Sequence, residues 1–308
     1  MSARRSLVVL ASLGISLPAT NGSPAYAQSS AQSAADSDSL TWLRQARRAQ
    51  RDFERTRRAH LPSEPGAGSN GCDERIGRFC YWYEPFTNPS LAEPNLVRRA
   101  RHQLLDDLGA AHRRLAGDGW ITGQLVRYLL EQGLTDSAVV TAQSCRSTRW
   151  WCDALEGFAR HLSHDYAGAD SAFGRALQVM PDTMRCAWID LGLLLGDAKR
   201  RSQALPCTQG DSVRGRIWWL ARPLYSRPGN DLRTEHYARH TMAALLHDAA
   251  TPDGVSWGTD RRNLVVRFGW PTRWSQSWES PGGLSSPPIL GHEPGPSFWL
   301  FPEPAVAE

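Results

Sequence analysis

Lysine is almost missing from this chain. Lys199 is the only one, so arginine supplies nearly all of the 35 basic residues. The skew reads as a genome-composition effect rather than as selection for phosphate binding. Zinc-binding spacings are also lacking: there is no C-x-x-C pair and no H-E-x-x-H. No G-x-x-x-x-G-K-[ST] loop is present to hold a nucleotide phosphate. Long apolar runs are scarce. The longest, SLVVLASLGISLPA, is too short to span a bilayer as a helix, and no later stretch is apolar enough to do so. The cysteines are expected to be committed to disulfides, so the sequence predicts no nucleophilic centre and implies no cofactor.

What is present begins with that apolar run. Arg4 and Arg5 precede it, and Ala25-Tyr26-Ala27 closes in the small-x-small pattern of a secretory cleavage site. Residues 1–27 are therefore read as a signal peptide cut after Ala27, which makes the protein periplasmic or secreted. Its net charge of +4 drops to +2 when those two arginines leave. Residues 28–38, rich in Ser, Ala, Gln and Asp, are expected to be a flexible leader.

Six cysteines follow, at 72, 80, 145, 152, 186 and 207. An even count in an exported chain argues for disulfides over a zinc site. Local spacing favours sequential pairing as Cys72–Cys80, Cys145–Cys152 and Cys186–Cys207.

Residues 39–116 are read as N-terminal helices and a cysteine-bounded loop. In the first helix Trp42, Ala46, Ala49 and Phe53 recur on one face. Arg44, Arg47, Arg48, Arg51, Arg55, Arg57 and Arg58 crowd the same segment against only Asp52 and Glu54. Such a charge run is read as a solvated face, with an anchor to anionic envelope polymer or lipid as the alternative.

Residues 151–181 resemble a tetratricopeptide repeat, a helix–turn–helix unit that buries its apolar face by stacking on copies of itself. Gly157, Tyr166, Ala169, Phe173, Ala176 and Pro181 carry the resemblance. Small residues at 157 and 169 let the two helices approach, Phe173 fills the space between them, and Pro181 stops the second helix. An earlier copy turns at Gly133 and uses Ala138 and Ala142 as contact residues. A later, degenerate copy opens at Trp188, Leu191 and Gly192. Residues 117–210 are thus expected to form such repeats, with the first helix of each unit lining a concave groove. By repeat position Arg127, Glu131, Trp151 and His161 are the candidate groove residues. The repeat pattern, with the lack of catalytic residues, points to a non-enzymatic scaffold that holds a partner protein or peptide; no nucleic-acid partner is expected, and the arginine-rich N-terminal helix offers peripheral contact with the cell envelope as the alternative.

Residues 211–279 resemble the GWxTD domain of exported bacterial proteins, a family without an established activity. Trp257, Thr259, Asp260 and Arg261, then Gly269, Trp270 and Pro271, carry the match. Pro223-Leu224-Tyr225, Asn230, Glu235 and His236 match its lead-in, while Ser256 and Arg222 depart from it. Bottom-up, Asp260 shapes a turn and Leu264–Phe268 is β-prone, so a short strand is expected there. The Pro-rich tail, residues 280–308, is not expected to fold alone; its aromatics Phe298, Trp299 and Phe301 should pack back onto the domain.

The expected fold is mainly α: helical hairpin repeats followed by a small α+β segment. One alternative is chemical. His236, His240 and His247 are expected to share a helical face, which makes His236 and His240 candidate metal ligands. A metal-dependent or carbohydrate-active enzyme using His236, His240 and Asp260 is the competing functional class.

Overall fold

A computed structural model describes residues 24–64, 74–76, 79–81, 93–194, 207, 211–222, 228–277 and 289–293. The fold is mainly helical. The chain divides into two compact units, residues 1–40 and 41–308. Of the first unit only residues 24–40 are described, and they are helical. The sequence expectations that rest on the apolar run at 6–19, on Cys72 and its pair with Cys80, on Pro223-Leu224-Tyr225 and on Phe298, Trp299 and Phe301 lie outside the described residues.

Helix α1 runs Pro24–Ala59, so residues 28–38 are helical where a flexible leader is expected. The composition explains the difference. Ala recurs through AQSSAQSAAD, and Ala is the best helix former, so a propensity-neutral polar run continues the helix that follows it.

Helices α2 (Asn95–Arg114), α3 (Gly119–Glu131), α4 (Thr135–Gln143), α5 (Arg149–Leu162) and α6 (Tyr166–Val179) then succeed one another through short turns. Two of their N-termini are capped by aspartate. Asp118 accepts from the Ile121 N–H and Asp165 from the Gly168 N–H, each at 2.9 Å. Helix α3 packs on α4, and α5 packs along α6. Gly157 shows why: a Cβ there would lie 2.8–2.9 Å from the Phe173 ring, inside van der Waals contact. Ala138, Ala142, Ala169 and Ala176 are the other small residues at these contacts, and all are buried. Pro181 ends the run, with α7 (Asp182–Ile189) starting directly after it. Helix α7 stops short of Leu191 and Gly192, so no full-length opening helix forms in the third unit. Asp190 instead turns the chain by accepting from the Gly192 N–H at 2.9 Å.

Two disulfides staple this region, Cys145–Cys152 across the α4–α5 turn and Cys186–Cys207 closing a 21-residue span. They indicate an oxidising, extracytoplasmic environment. Among the described residues no helix is long and apolar enough to cross a membrane.

Helices α8 (Asp211–Ala221), α9 (Asp231–His247) and α10 (Thr259–Phe268) follow. Asn230 caps α9 by accepting from the Arg233 N–H at 2.9 Å and ties it to α8 by donating to Trp218 O at 2.8 Å. Helix α10 occupies the stretch where a β-strand is expected. Its β-branched Val265 and Val266 are fully buried, and burial on a helix overrides their strand preference. Gly269 ends it with φ +91°, a conformation that a side chain opposes.

Five short strands form one mixed sheet in the order β1-β4-β5-β3-β2: Ser63–Glu64, Arg273–Ser277, Ile289–Glu293, Phe79–Tyr81 and Glu74–Ile76. The cysteine-bounded loop thus supplies a two-stranded hairpin, and part of the Pro-rich tail pairs with it. Ile289–Glu293 lies antiparallel to β4 and parallel to β3.

Candidate functional site

Three of the four expected groove residues are buried, and the fourth, Glu131, reaches the surface. Arg127, Trp151 and His161 are 4 %, 9 % and 8 % exposed, and the Glu131 side chain is 23 % exposed. The reason is that the inner face of the hairpins is covered from within the same chain, by the second half of α1 and by α9.

On the α1 side a polar network crosses the contact. Gln50 donates to Tyr128 Oη and to Ala250 O, both at 2.9 Å, and accepts from the Ala250 N–H at 3.0 Å. Tyr128 donates to Glu54 Oε1 at 2.5 Å. Arg57 bonds Glu131, and Arg127 Nε donates to the other oxygen of that carboxylate at 3.0 Å. Arg101, on α2, bonds Glu93 and approaches Glu131 to 4.0 Å. Desolvation raises the proton affinity of Glu54 despite the nearby arginines. Desolvation pushes Glu131 the same way, but the charges of Arg57 and Arg127 outweigh it and hold that carboxyl at about 2.

On the α9 side His161 Nδ1 lies 2.9 Å from Thr234 Oγ1, and its Nε2 lies 2.6 Å from Glu235 Oε2. Trp151 donates to Gly119 O at 2.9 Å and seals α5 against α3. Arg127, Glu131 and His161 hold the covering helices in place, and Trp151 joins two helices of the hairpins.

The GWxTD-like residues divide into two sets. Arg261 is buried and grips both oxygens of Asp253 at 2.9 and 3.0 Å while donating to Val255 O at 2.7 Å. Trp257 is half-buried beside it, its ring 6.0 Å from the guanidinium. Thr259 and Asp260 are exposed on the first turn of α10. Asp260 makes a helix start, where its charge suits the helix dipole, in place of the expected turn into a strand. Trp270, just past Gly269, packs 5.7 Å from Phe158, and Pro271 follows it.

The candidate metal ligands His236 and His240 lie side by side, their ring centroids 4.7 Å apart, but His247 does not join them. His247 is exposed and pairs with Asp248 at 3.0 Å, whereas His236 and His240 are 2 % and 4 % exposed. His236 Nε2 bonds Trp188 O at 2.7 Å, and the His240 ring stacks on Trp188 at 5.4 Å. Desolvation lowers His236 to about 4 and takes His240 well below its ordinary value, so both are neutral near pH 7. Asp260 is exposed, so the three residues of the expected enzyme site share no solvent-open surface. Among the described residues no group of three His, Cys, Asp or Glu is placed to hold a metal.

Two spacings bear on nucleophilic or phosphate chemistry. Gly254-Val255-Ser256-Trp257-Gly258 matches the G-x-S-x-G of hydrolase elbows, contrary to the expectation that no nucleophile motif occurs. The elbow geometry is missing, since Ser256 has no left-handed φ, follows a turn and bonds no histidine among the described residues. Gly66–Gly71 has G-x-G-x-x-G spacing and lies outside the described residues.

What the fold does build is a cleft of about 270 Å³ where α3, α5, α9 and α10 meet the start of β4. Its apolar wall is Phe158, Leu162, Met242, Leu246, Val265 and Trp270, and its polar end is Arg57, Arg127, Glu131 and Arg261. A second hollow of about 220 Å³ shares Arg57, Glu131, Thr272 and Trp274 with it and adds Glu93 and Arg101. The guanidinium Nε atoms of Arg57, Arg101 and Arg261 are buried behind these hollows, with Arg57 Nε 3.6 Å from Glu54 Oε2 and Arg101 Nε 4.0 Å from Glu131 Oε2, beyond hydrogen-bond reach. The sequence held one signal for this site. Gln50, Glu54 and Arg57 fall on the same helical stripe as Ala46 and Phe53, so polar groups stand at positions that pattern alone buries.

No family model, no curated protein and no solved structure matches this chain.

Proposed function

We propose that the protein is an exported, non-enzymatic binding protein, released after Ala27, whose tetratricopeptide-like hairpins and GWxTD-like segment together hold a partner protein or peptide. The carrying observation is the cleft that remains where α1 and α9 cover the hairpins' inner face. It combines an apolar wall with a cluster of buried charge, the usual composition of a ligand site. A partner lays one apolar side chain along the wall of Leu162, Met242 and Trp270 and sets a polar group against Arg57 and Glu131. The test is cross-linking co-purification of the tagged mature chain from its native envelope, with wild type against Leu162→Trp, which fills the apolar wall. A partner enriched by wild type and lost from a folded Leu162→Trp supports the reading. Equal capture by both sinks it.

A second reading has its own observation. Arg44, Arg48, Arg51 and Arg55 are exposed and spaced 4, 3 and 4 apart, so they form one outward stripe on α1, with Asp52 the acidic partner to Arg48 and Arg55. Such a stripe suits peripheral contact with anionic envelope polymer or lipid. Co-sedimentation with anionic vesicles and with peptidoglycan tests it. Binding that salt does not weaken, or none, removes it.

A further inference from the structure

We propose that a separate hollow, between α6, α8 and the start of α9, binds a single sugar ring, with the apolar face of the ring on Trp219 and its hydroxyls on Asp170 and Arg233. The hollow shares no residue with the cleft, so this inference stands apart from the binding reading above.

Three observations select that class. The first is an aromatic platform with an open floor. Trp219 is 58 % exposed, the one exposed Phe, Tyr or Trp among the described residues, and it lines the hollow. Gly215 lies one helical turn before it, on the same face of α8 and in the same hollow. A Cβ at 215 would meet nothing within 4 Å, and the residue has no left-handed φ. Glycine weakens a helix interior, and neither packing nor backbone conformation calls for it there. What the missing side chain leaves is room beside the indole for something from outside the chain.

The second is a fixed polar edge. Arg233 grips both oxygens of Asp170, with Nε 2.7 Å from Oδ1, and so ties α9 to α6. The two side chains stay 35 % and 20 % exposed. Each carboxylate oxygen keeps a lone pair beyond the bond that it accepts, and the guanidinium keeps N–H groups that the pair does not use. Adjacent ring hydroxyls donate and accept side by side, so they answer such an edge at both groups. A purely apolar ligand would strip water from Asp170 and Arg233 and return no hydrogen bond.

The third is size. The hollow holds about 270 Å³, just under the ~300 Å³ at which drug-sized sites begin, which is room for one ring and not for an extended chain.

The experiment uses the mature chain, with calorimetry and saturation-transfer NMR. The probes are the methyl glycosides of glucose, galactose, N-acetylglucosamine and glucuronic acid, with cyclohexanol and adenosine as comparators. Saturable one-to-one binding of at least one glycoside is expected, roughly tenfold or more tighter than either comparator. Trp219→Ala should weaken it about tenfold, the scale of one aromatic stacking contact. Gly215→Leu should abolish it without lowering the melting temperature, because leucine is the better helix former and its Cβ enters empty space. No saturable glycoside binding, equal or tighter binding of cyclohexanol or adenosine, or a Gly215→Leu that binds as wild type does overturns the proposal. A Gly215→Leu that melts lower overturns it too, since the fold would then be what needs the glycine. Leu162→Trp, which fills the cleft, should leave glycoside binding unchanged. Glycoside binding lost from a folded Leu162→Trp would put the sugar in the cleft and sink this inference, whatever that variant does to partner capture.

Discussion

Arg55 and Arg57 stand two positions apart on α1 and do different work. Arg55 points outward and pairs with the half-exposed Asp52 at 3.1 Å. Arg57 is buried between Glu54 and Glu131 with its guanidinium 4.5 Å from the Phe53 ring. Arg57→Ala should therefore cost about 3–5 kcal/mol, because it strands buried carboxylate charge. Arg55→Ala should stay within about 0.5 kcal/mol of wild type. Urea titration of both variants checks the contrast. Glu235 carries the pH dependence at this scale. Burial pushes its carboxyl up, but the Arg239 charge and the His161 hydrogen bond outweigh that and hold it at about 2. A depressed carboxyl stabilises the fold above its unfolded value, and the contribution is lost as the pH falls from near 4.5 toward 2. Glu235→Gln should lower the melting temperature at pH 7 and flatten its fall below pH 4.5. A variant whose acid slope matches wild type refutes the assignment.

Helix pairs set the next scale. The α5/α6 hairpin closes only because Gly157 leaves room for Phe173. Gly157→Ala should cost about 1–3 kcal/mol as an overpacking change, despite the better helix propensity of alanine, and thermal unfolding reads it directly. Were packing not limiting there, the substitution would stabilise. The Cys186–Cys207 bond ties α7 to the segment before α8 across 21 residues, whereas Cys145–Cys152 spans seven. Loop-closure entropy makes the longer bridge the more stabilising. Cys186→Ser with Cys207→Ser should lose about 3 kcal/mol, and more than the Cys145/Cys152 double variant. Equal losses contradict the entropic account.

For the molecule as a whole, the second half of α1 and α9 cover the inner face of the hairpins. They lie where a partner is expected on an open repeat face, and Gln50, Tyr128, Glu54, His161 and Thr234 are the bonds that keep them there. Trp270 closes the remaining gap by meeting Phe158 from the far end of the chain. Trp270→Ala should enlarge the cleft and destabilise by about 3–5 kcal/mol if its neighbours do not collapse inward. Hydrogen exchange should show the loss of protection concentrated in α5 and α10, not in α2.

The sequence by itself determined the helical character, the hairpin boundaries at Gly133 and Pro181, the small residues between α5 and α6, and two cysteine pairs. Each of these is written in local spacing: a turn residue, a period of three to four, a short loop between thiols. It also held the stripe of Ala46, Gln50, Phe53, Glu54 and Arg57, although composition made that helix look solvated. Only the tertiary structure decided what lay against what. Leu264–Phe268 became a helix because Val265 and Val266 found a buried seat. Ile289–Glu293 became a strand because Phe79–Tyr81 offered it an edge. Arg127 and His161 became interior because helices about 70 residues away in the chain cover them. Local pattern records which face of an element avoids water. Contacts between distant segments are chosen by complementary burial and charge, which no stretch of sequence states alone.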